Sequence, residues 1–354
     1  MKKILVALSG GVDSAAAVIL LKKQGYEVGG ATMLLRDGGE AEARDAQQAA
    51  RTLGIPFYCF DLRKEFEEIV IGDFRDVYVS GATPNPCVLC NRKMKFGLFL
   101  DKALELGYDG IATGHYARLG IDGERTLLIR AADCAKDQTY MLCGLNQYQL
   151  SHSLFPLGDI LSKDETRNLA EEAGLDIARK RDSQDICFVP DGDYMAYLTE
   201  HGLVPREGNF ITTEGEILGK HRGVEAYTVG QRRGLGMAFG QRAYVLGKRG
   251  ADVVIGDNHQ LFSTRVRVEQ VNYIPFDTPA GPMEVEAKLR YSARVAKATL
   301  IPHEGGCELI FEEPQRAVTP GQTAVFYSGD RVIGGGIIVN TPHNTSLGGN
   351  ENEM

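Results

Sequence analysis

No run of apolar residues in this 354-residue chain reaches the length of a membrane span, which argues against a membrane protein. The first apolar stretch, Ile4 to Leu8, ends at once in serine and glycine. It therefore predicts a buried strand and not a secretory leader, whose apolar core is longer. The two glycines that follow are not succeeded by a Lys-Ser/Thr pair, and no G-x-G-x-x-G opens the first strand–helix junction. A Walker A loop and a dinucleotide fingerprint are thereby excluded. The pair Cys87 and Cys90 has no second C-x2-C to complete a structural zinc site. Seven cysteines, an odd number without an export signal, predict a reducing compartment, the cytoplasm, and no disulfide framework. No internal repeat is visible, so a solenoid is not expected.

What is present is ordinary in bulk and uneven in detail. The length allows two or three domains, and 43% hydrophobic with 24% charged residues is globular composition. The formal net charge of −8 argues weakly against nucleic acid. Its distribution matters more: Glu216 to Gly250 carries seven Lys and Arg against two acids, a local excess of five. An acidic protein with such a stretch can bind a polyanion locally.

The most informative stretch is SGGVDS, Ser9 to Ser14, between the apolar run and Ala15–Leu21, which reads as the inner face of a helix. Strand, glycine-rich turn and helix start in that order form an anion cradle. Gly10 and Gly11 permit a sharp turn and close approach, and the N–H groups of the helix start face the ligand. Ser9 and Ser14 add hydroxyls. Asp13, beside phosphates, is suited to Mg²⁺.

Strand and helix signals alternate through the first half: Glu27–Met33, Glu40–Leu53, Ile55–Phe60, Lys64–Val77, Asn91–Leu106 and Asp109–Thr113. They predict an α/β fold with a doubly wound parallel sheet. Its ligands sit at the carboxyl ends of the strands, where SGGVDS lies. Ser162–Ala173 is a further helix with Ser162 as its cap. After Pro205 the character turns to short strands, and from Arg265 their regular spacing predicts a β-barrel. Expected domains are residues 1–203, catalytic and ATP-binding, 204–262, small and β-rich, and 263–339, the barrel. Residues 340–354 are expected to be a disordered tail.

Two prolines in Thr83–Arg92 deliver Cys90 close to the start of the Asn91–Leu106 helix. There the helix end, Arg92 and Lys93 are expected to stabilise a thiolate. Zinc binding, an inert pair, and a catalytic or cluster-binding pair compete as readings. Cys187 follows the basic triplet Arg179–Arg181 and read alone is as easily structural. Thr113–Tyr116 lies at the same sheet edge as SGGVDS, and Ala135–Thr139 is a polar loop suited to phosphate or sugar contacts.

SGGVDS resembles the PP-loop of enzymes that split ATP into AMP and pyrophosphate. Together with TPNP-x-V-L-C-N (83–91), ATGHYAR (112–118), KDQTY (136–140), DSQDICF (182–188), YTVGQRRGLG (227–236) and TPGQTAVFYSGD (319–330), it resembles the bacterial tRNA-specific 2-thiouridylases over nearly the whole chain. That resemblance implies adenylation of the C2 oxygen of a wobble uridine, followed by sulfur attack and loss of AMP. It implies ATP and Mg²⁺ at Ala7, Leu8, Ser9, Gly10, Gly11, Val12, Asp13, Ser14 and Gly114, with Met33 at the adenine. It places Asn85, Pro86 and Cys87 at the target base, with Cys90 as nucleophile and Cys187 as persulfide carrier. A Cys90–Cys187 disulfide follows once sulfur has left. His115, Lys136, Asp137, Gln138, Arg290, Tyr291 and Gln322 are implied near tRNA. The partners implied are the tRNA anticodon region and a sulfur donor such as a cysteine desulfurase or relay protein.

Many relatives have Asp where this chain has Cys87. The third thiol raises a second expectation, that Cys87, Cys90 and Cys187 bind a 4Fe–4S cluster with an open iron. Two other functions fit parts of the pattern: a PP-loop ligase acting on a small metabolite, and an RNA-binding sulfur carrier.

Overall fold

The computed structural model describes residues 1–175, 186–189, 192–240 and 242–340. The basic triplet Arg179–Arg181, the first four residues of DSQDICF and the expected tail from 341 lie outside these residues.

The first sheet is wholly parallel, in the order β3 (Phe57–Asp61), β2 (Glu27–Leu34), β1 (Lys3–Ala7), β4 (Gly110–Ala112), β7 (Ser153–Leu154). The doubly wound expectation holds. The chain runs outward from β1 in both directions, so the crevice lies between the carboxyl ends of β1 and β4. Helix α1 (Val12–Lys23) buries Ala15, Ala16, Ala17 and Val18 completely, and these small side chains let it lie close on the sheet. Helix α2 (Glu40–Leu53) covers the same face with Ala46, Ala49, Ala50 and Leu53.

Two long helical runs contain π-helical turns. The first joins α3 (Arg63–Phe66), a π-helical Glu67–Ile71 and α4 (Gly72–Val79). The second joins α5 (Pro86–Cys90), a π-helical Asn91–Leu98 and α6 (Phe99–Glu105). A hairpin follows β4: β5 (Ala117–Asp122) and β6 (Arg125–Arg130). Then come α7 (Thr139–Leu142), α8 (Gln147–Ser151), α9 (Lys163–Glu172) and α10 (Tyr194–Glu200).

A four-stranded sheet comes next, built from β8 (Gly208–Ile211), β9 (Ile217–His221), β10 (Tyr244–Arg249) and β11 (Asp252–Gly256). The last six strands are β12 (Phe262–Tyr273), β13 (Met283–Lys288), β14 (Ala296–His303), β15 (Gly306–Arg316), β16 (Thr323–Ser328) and β17 (Arg331–Ile338). Pairing of β12 with β17 closes them into the expected barrel. The β5–β6 hairpin, which periodicity did not reveal, joins that barrel's sheet through Ile129 and Arg331. The barrel is thereby tied directly to the domain of the parallel sheet. No described helix is long and apolar enough to cross a membrane.

Candidate active site

β1 ends at Ala7, and Leu8–Gly11 turn into α1. The Ser9 N–H donates to Ser14 Oγ at 3.2 Å, and Ser14 Oγ donates to the Gly11 carbonyl at 3.0 Å. The loop is thus closed by its own hydroxyl. Gly10 has φ +71°, and a Cβ there would lie 2.8 Å from Asp45 Cβ, so glycine is required on both counts. No side chain caps the start of α1, which leaves its first N–H groups for an anion.

Asp13 is not vacant. Its Oδ1 accepts from the Tyr116 hydroxyl at 2.8 Å, and its Oδ2 pairs with Lys163 Nζ at 2.7 Å. Lys163 is the first residue of α9, whose cap, Ser162 Oγ, accepts from the Glu165 N–H at 3.2 Å. Neither partner was foreseen. The sequence offered one hint, a lysine directly after a helix cap.

Gly114 follows β4 and lies against the loop. A Cβ there would fall 2.8 Å from both the Asp13 carbonyl carbon and the Ser14 nitrogen. Gly114→Ala must therefore push the loop after β4 away from the start of α1, an overpacking cost of about 1–3 kcal/mol. We expect ATP affinity to fall about tenfold, read by equilibrium dialysis.

His115 is half-buried. Its Nδ1 lies 2.8 Å from Thr113 Oγ1, and its ring centre is 6.0 Å from that of Phe96 and 6.3 Å from that of Phe155. Burial, with Lys95 adding to it, holds its pKa well below the usual range. The ring is neutral at pH 7.

The cysteine segment departs from expectation. Pro86 is the first residue of α5, as its missing N–H favours. Helical structure then continues from Pro86 to Glu105. Cys90 is inside that run and not near its start, so it has no free helix N–H groups to stabilise a thiolate. Arg92 and Lys93 point to solvent. Burial pushes the Cys90 thiol up to about 11, and Lys95 opposes it. The cation beside the thiol is therefore Lys95, one residue past the spacing an α-helix would select.

Cys87 and Cys187 reach solvent, yet partial burial still pushes both thiols up, again against the influence of Lys95. Cys187 arrives there because its neighbour Phe188 packs against the rings of Phe66 and Phe74, at 5.6 and 5.1 Å between centres. Cys90 borders the same apolar core. Lys95 is half-buried and makes no hydrogen bond or ion pair with any described residue. The two halves meet through Gly114 on the phosphate loop, His115 beside it, and Phe96 with Lys95 on the cysteine helix.

The remaining candidates are scattered around this axis. Met33 is half-buried near the carboxyl end of β2, packed with Phe60. The Asn85 side chain hydrogen-bonds the Tyr140 hydroxyl. Lys136 Nζ lies 4.0 Å from the Asp133 carboxylate and 5.2 Å from the Tyr116 ring centre. Asp137 accepts from Thr139 Oγ1 at 2.7 Å and the Ala131 N–H at 3.1 Å, and Gln138 Oε1 accepts from the Tyr116 N–H at 2.9 Å. These two brace their own loop and, through Tyr116, Asp13. Arg290 donates to the Arg316 carbonyl at 3.0 Å. Tyr291 is 43% exposed, edge-on to Tyr140. Gln322 turns inward to Thr83 and Pro84.

For a metal, the donor set decides. Among the described residues, no three His, Cys, Asp or Glu side chains are arranged to hold an ion. Cys87, Cys90 and Cys187 lie near enough to influence one another electrostatically.

Three family models match the chain: the tRNA methyl transferase HUP domain over residues 2–191, the tRNA methyl transferase PRC-barrel domain over 196–257, and the aminomethyltransferase beta-barrel domain over 263–338. A tRNA-specific 2-thiouridylase MnmA of Caldicellulosiruptor saccharolyticus is 46% identical over 95% of this chain and 98% of its own length. That of Clostridium perfringens is likewise 46% identical, over 95% and 98%. A 4-thiouridine synthetase–RNA complex with bound ATP superposes with a TM-score of 0.37 at 19% identity, covering 56% of this chain and 50% of that one. That likeness is too slight to argue from.

Proposed function

The chain belongs to the tRNA-specific 2-thiouridylase family, and from that premise we propose that it uses ATP to replace the C2 oxygen of a tRNA wobble uridine with sulfur in the cytoplasm. The observation that carries this reading is the closeness of a phosphate cradle to three thiols: Gly114 packs on Asp13 and Ser14, and Lys95 acts on its neighbour His115 and on Cys87, Cys90 and Cys187 alike. A ligase for a small metabolite needs the first and has no use for the second.

A carbonyl oxygen is a poor leaving group, and joined to AMP it becomes a good one. The C2 oxygen attacks the α-phosphorus, pyrophosphate leaves, and the N3 proton is lost to water. The N–H groups at the start of α1 and the Lys163 ammonium face the phosphate charge as it moves. Mg²⁺ arriving with ATP would be held by Asp13 and would neutralise the same charge. The terminal sulfur of a Cys187 persulfide then attacks C2. Cys90 thiolate attacks Cys187 Sγ, and the S–S bond breaks with its electron pair going to the transferred sulfur. AMP departs with the C2–O pair, and N3 regains a proton. The products are the thiocarbonyl, AMP and a Cys90–Cys187 disulfide, which a dithiol reductant reopens. A cysteine desulfurase or relay protein supplies the persulfide sulfur. The base is reached by extrusion from the anticodon loop, where unstacking costs least. Asn85, held on Tyr140, and Pro86 line its place, with Arg290 and Tyr291 on the RNA side. A 4Fe–4S cluster, if bound, would be held by Cys87, Cys90 and Cys187, and no step here passes through one.

In this scheme Lys95 offsets the burial that keeps Cys90 protonated. Removing a cation raises a thiol's pKa. The rising limb of the pH–rate profile should thus move up by about one unit in Lys95→Met, a tenfold loss at neutral pH. Thiolation assayed from pH 6.5 to 9.5 reads this directly. To separate the function from a metabolite ligase, ATP–pyrophosphate exchange is measured with and without tRNA. Exchange supported by a free metabolite and indifferent to tRNA would sink the proposal.

A further inference from the structure

The entrance to the cysteine helix is held from the C-terminal barrel. Thr83 N–H donates to the Pro320 carbonyl at 2.9 Å. Gln322 Nε2 donates to the Thr83 carbonyl at 3.2 Å and to the Pro84 carbonyl at 2.9 Å. Gly321, at φ +88°, permits this approach: a Cβ there would lie 2.7 Å from Thr83 O and 2.9 Å from Thr83 N. Thr323, next after Gln322, accepts through its carbonyl from the Tyr140 hydroxyl at 2.8 Å, and that hydroxyl also meets the Asn85 side chain.

Pro320 and Gln322 therefore grip Thr83 and Pro84 directly, and Thr323 reaches Asn85 through Tyr140. Pro84 and Pro86 give this segment two fewer N–H groups with which to organise itself, so its carbonyls need donors from elsewhere. The brace is stiff at its own root, since Gly321 N–H donates to the Ile338 carbonyl and Ile338 N–H to the Gln322 carbonyl, both at 2.8 Å. On the other flank, Arg206 Nη2 donates to the Val79 carbonyl at 2.6 Å.

We infer that Pro320–Thr323 is a positioning brace that sets where Cys87 and Cys90 stand relative to the phosphate loop, with Gln322 as its donor. Gln322 thus acts through the backbone of Thr83 and Pro84, and the barrel is part of the catalytic geometry. The inference rests on the reading that Cys90 takes part in sulfur transfer. It differs from an RNA-contact role for Gln322 in what it predicts. A lost RNA contact raises KM for tRNA. A lost brace lowers kcat, because misplacement by about 1 Å costs on the order of 10²-fold.

The test uses the full chain with Gln322→Ala and Gln322→Glu, the second keeping the shape and removing the donor. Hydrogen–deuterium exchange is followed without ATP or tRNA. Exchange across residues 82–90 should quicken about tenfold in both variants while the barrel strands stay protected. In thiolation, kcat should fall about 10²-fold with KM for tRNA within about twofold of the parent. Unchanged exchange at 82–90, or a raised KM with an intact kcat, overturns the brace. Because exchange is read without substrate, it decides the brace even if the chain proves to thiolate something other than tRNA.

Discussion

Alanine at Asp13 should reduce 2-thiouridine formation by about three orders of magnitude or more. The carboxylate organises the phosphate end of the site: Tyr116 and Lys163 both converge on it, at 2.8 and 2.7 Å. Removing it breaks the Asp13–Lys163 ion pair and takes away the carboxylate at the start of α1. Stability should suffer less than activity, since α1 remains anchored by its buried Ala15–Val18 face. The check is paired: tRNA-dependent AMP release by chromatography and 2-thiouridine by nucleoside mass spectrometry. Both should vanish together. A variant that still makes 2-thiouridine at the parental rate would show that sulfur transfer does not depend on adenylation.

Alanine at Cys90 should be equally silent in 2-thiouridine, by about 10³-fold or more, yet should still release pyrophosphate when tRNA is present. The asymmetry follows from geometry. The α1 start, Asp13 and Gly114 complete the ATP half without a sulfur atom, while Cys90 stands near Cys87, Cys187 and Lys95. The adenylated tRNA would accumulate and then hydrolyse back, so ATP consumption uncoupled from product is the signature. Loss of pyrophosphate release alongside thiolation would mean instead that the thiol is needed to build the nucleotide site.

How much of this could be read in the sequence depended on how local each feature is. SGGVDS specifies itself: strand, two glycines and helix start are contiguous, and the structure places them at the sheet's switch point. The barrel was legible for the same reason, as its strands follow one another at regular spacing. Lys95 was missed because the helix after Cys90 is π-helical. Spacing of four to an α-helical turn selects Lys93 and Met94, and the wider turn rotates the face onto Lys95. Lys163 and Tyr116 lie 150 and 103 positions from Asp13, a distance that no periodicity spans. Gln322 was expected near RNA only because of the family resemblance. Its partners, Thr83 and Pro84, emerge only once the barrel folds back on the first domain. The attachment of the local β5–β6 hairpin to β17 was hidden similarly.

The most direct measurement combines nucleoside mass spectrometry of tRNA from reactions of the parental and Cys90→Ala chains with iron and sulfide analysis of the same anaerobically purified preparations. The thiol account predicts full 2-thiouridine formation by parental protein that carries no iron, and none by Cys90→Ala. Activity that rises and falls with bound iron and sulfide, or 2-thiouridine made by Cys90→Ala, would contradict it.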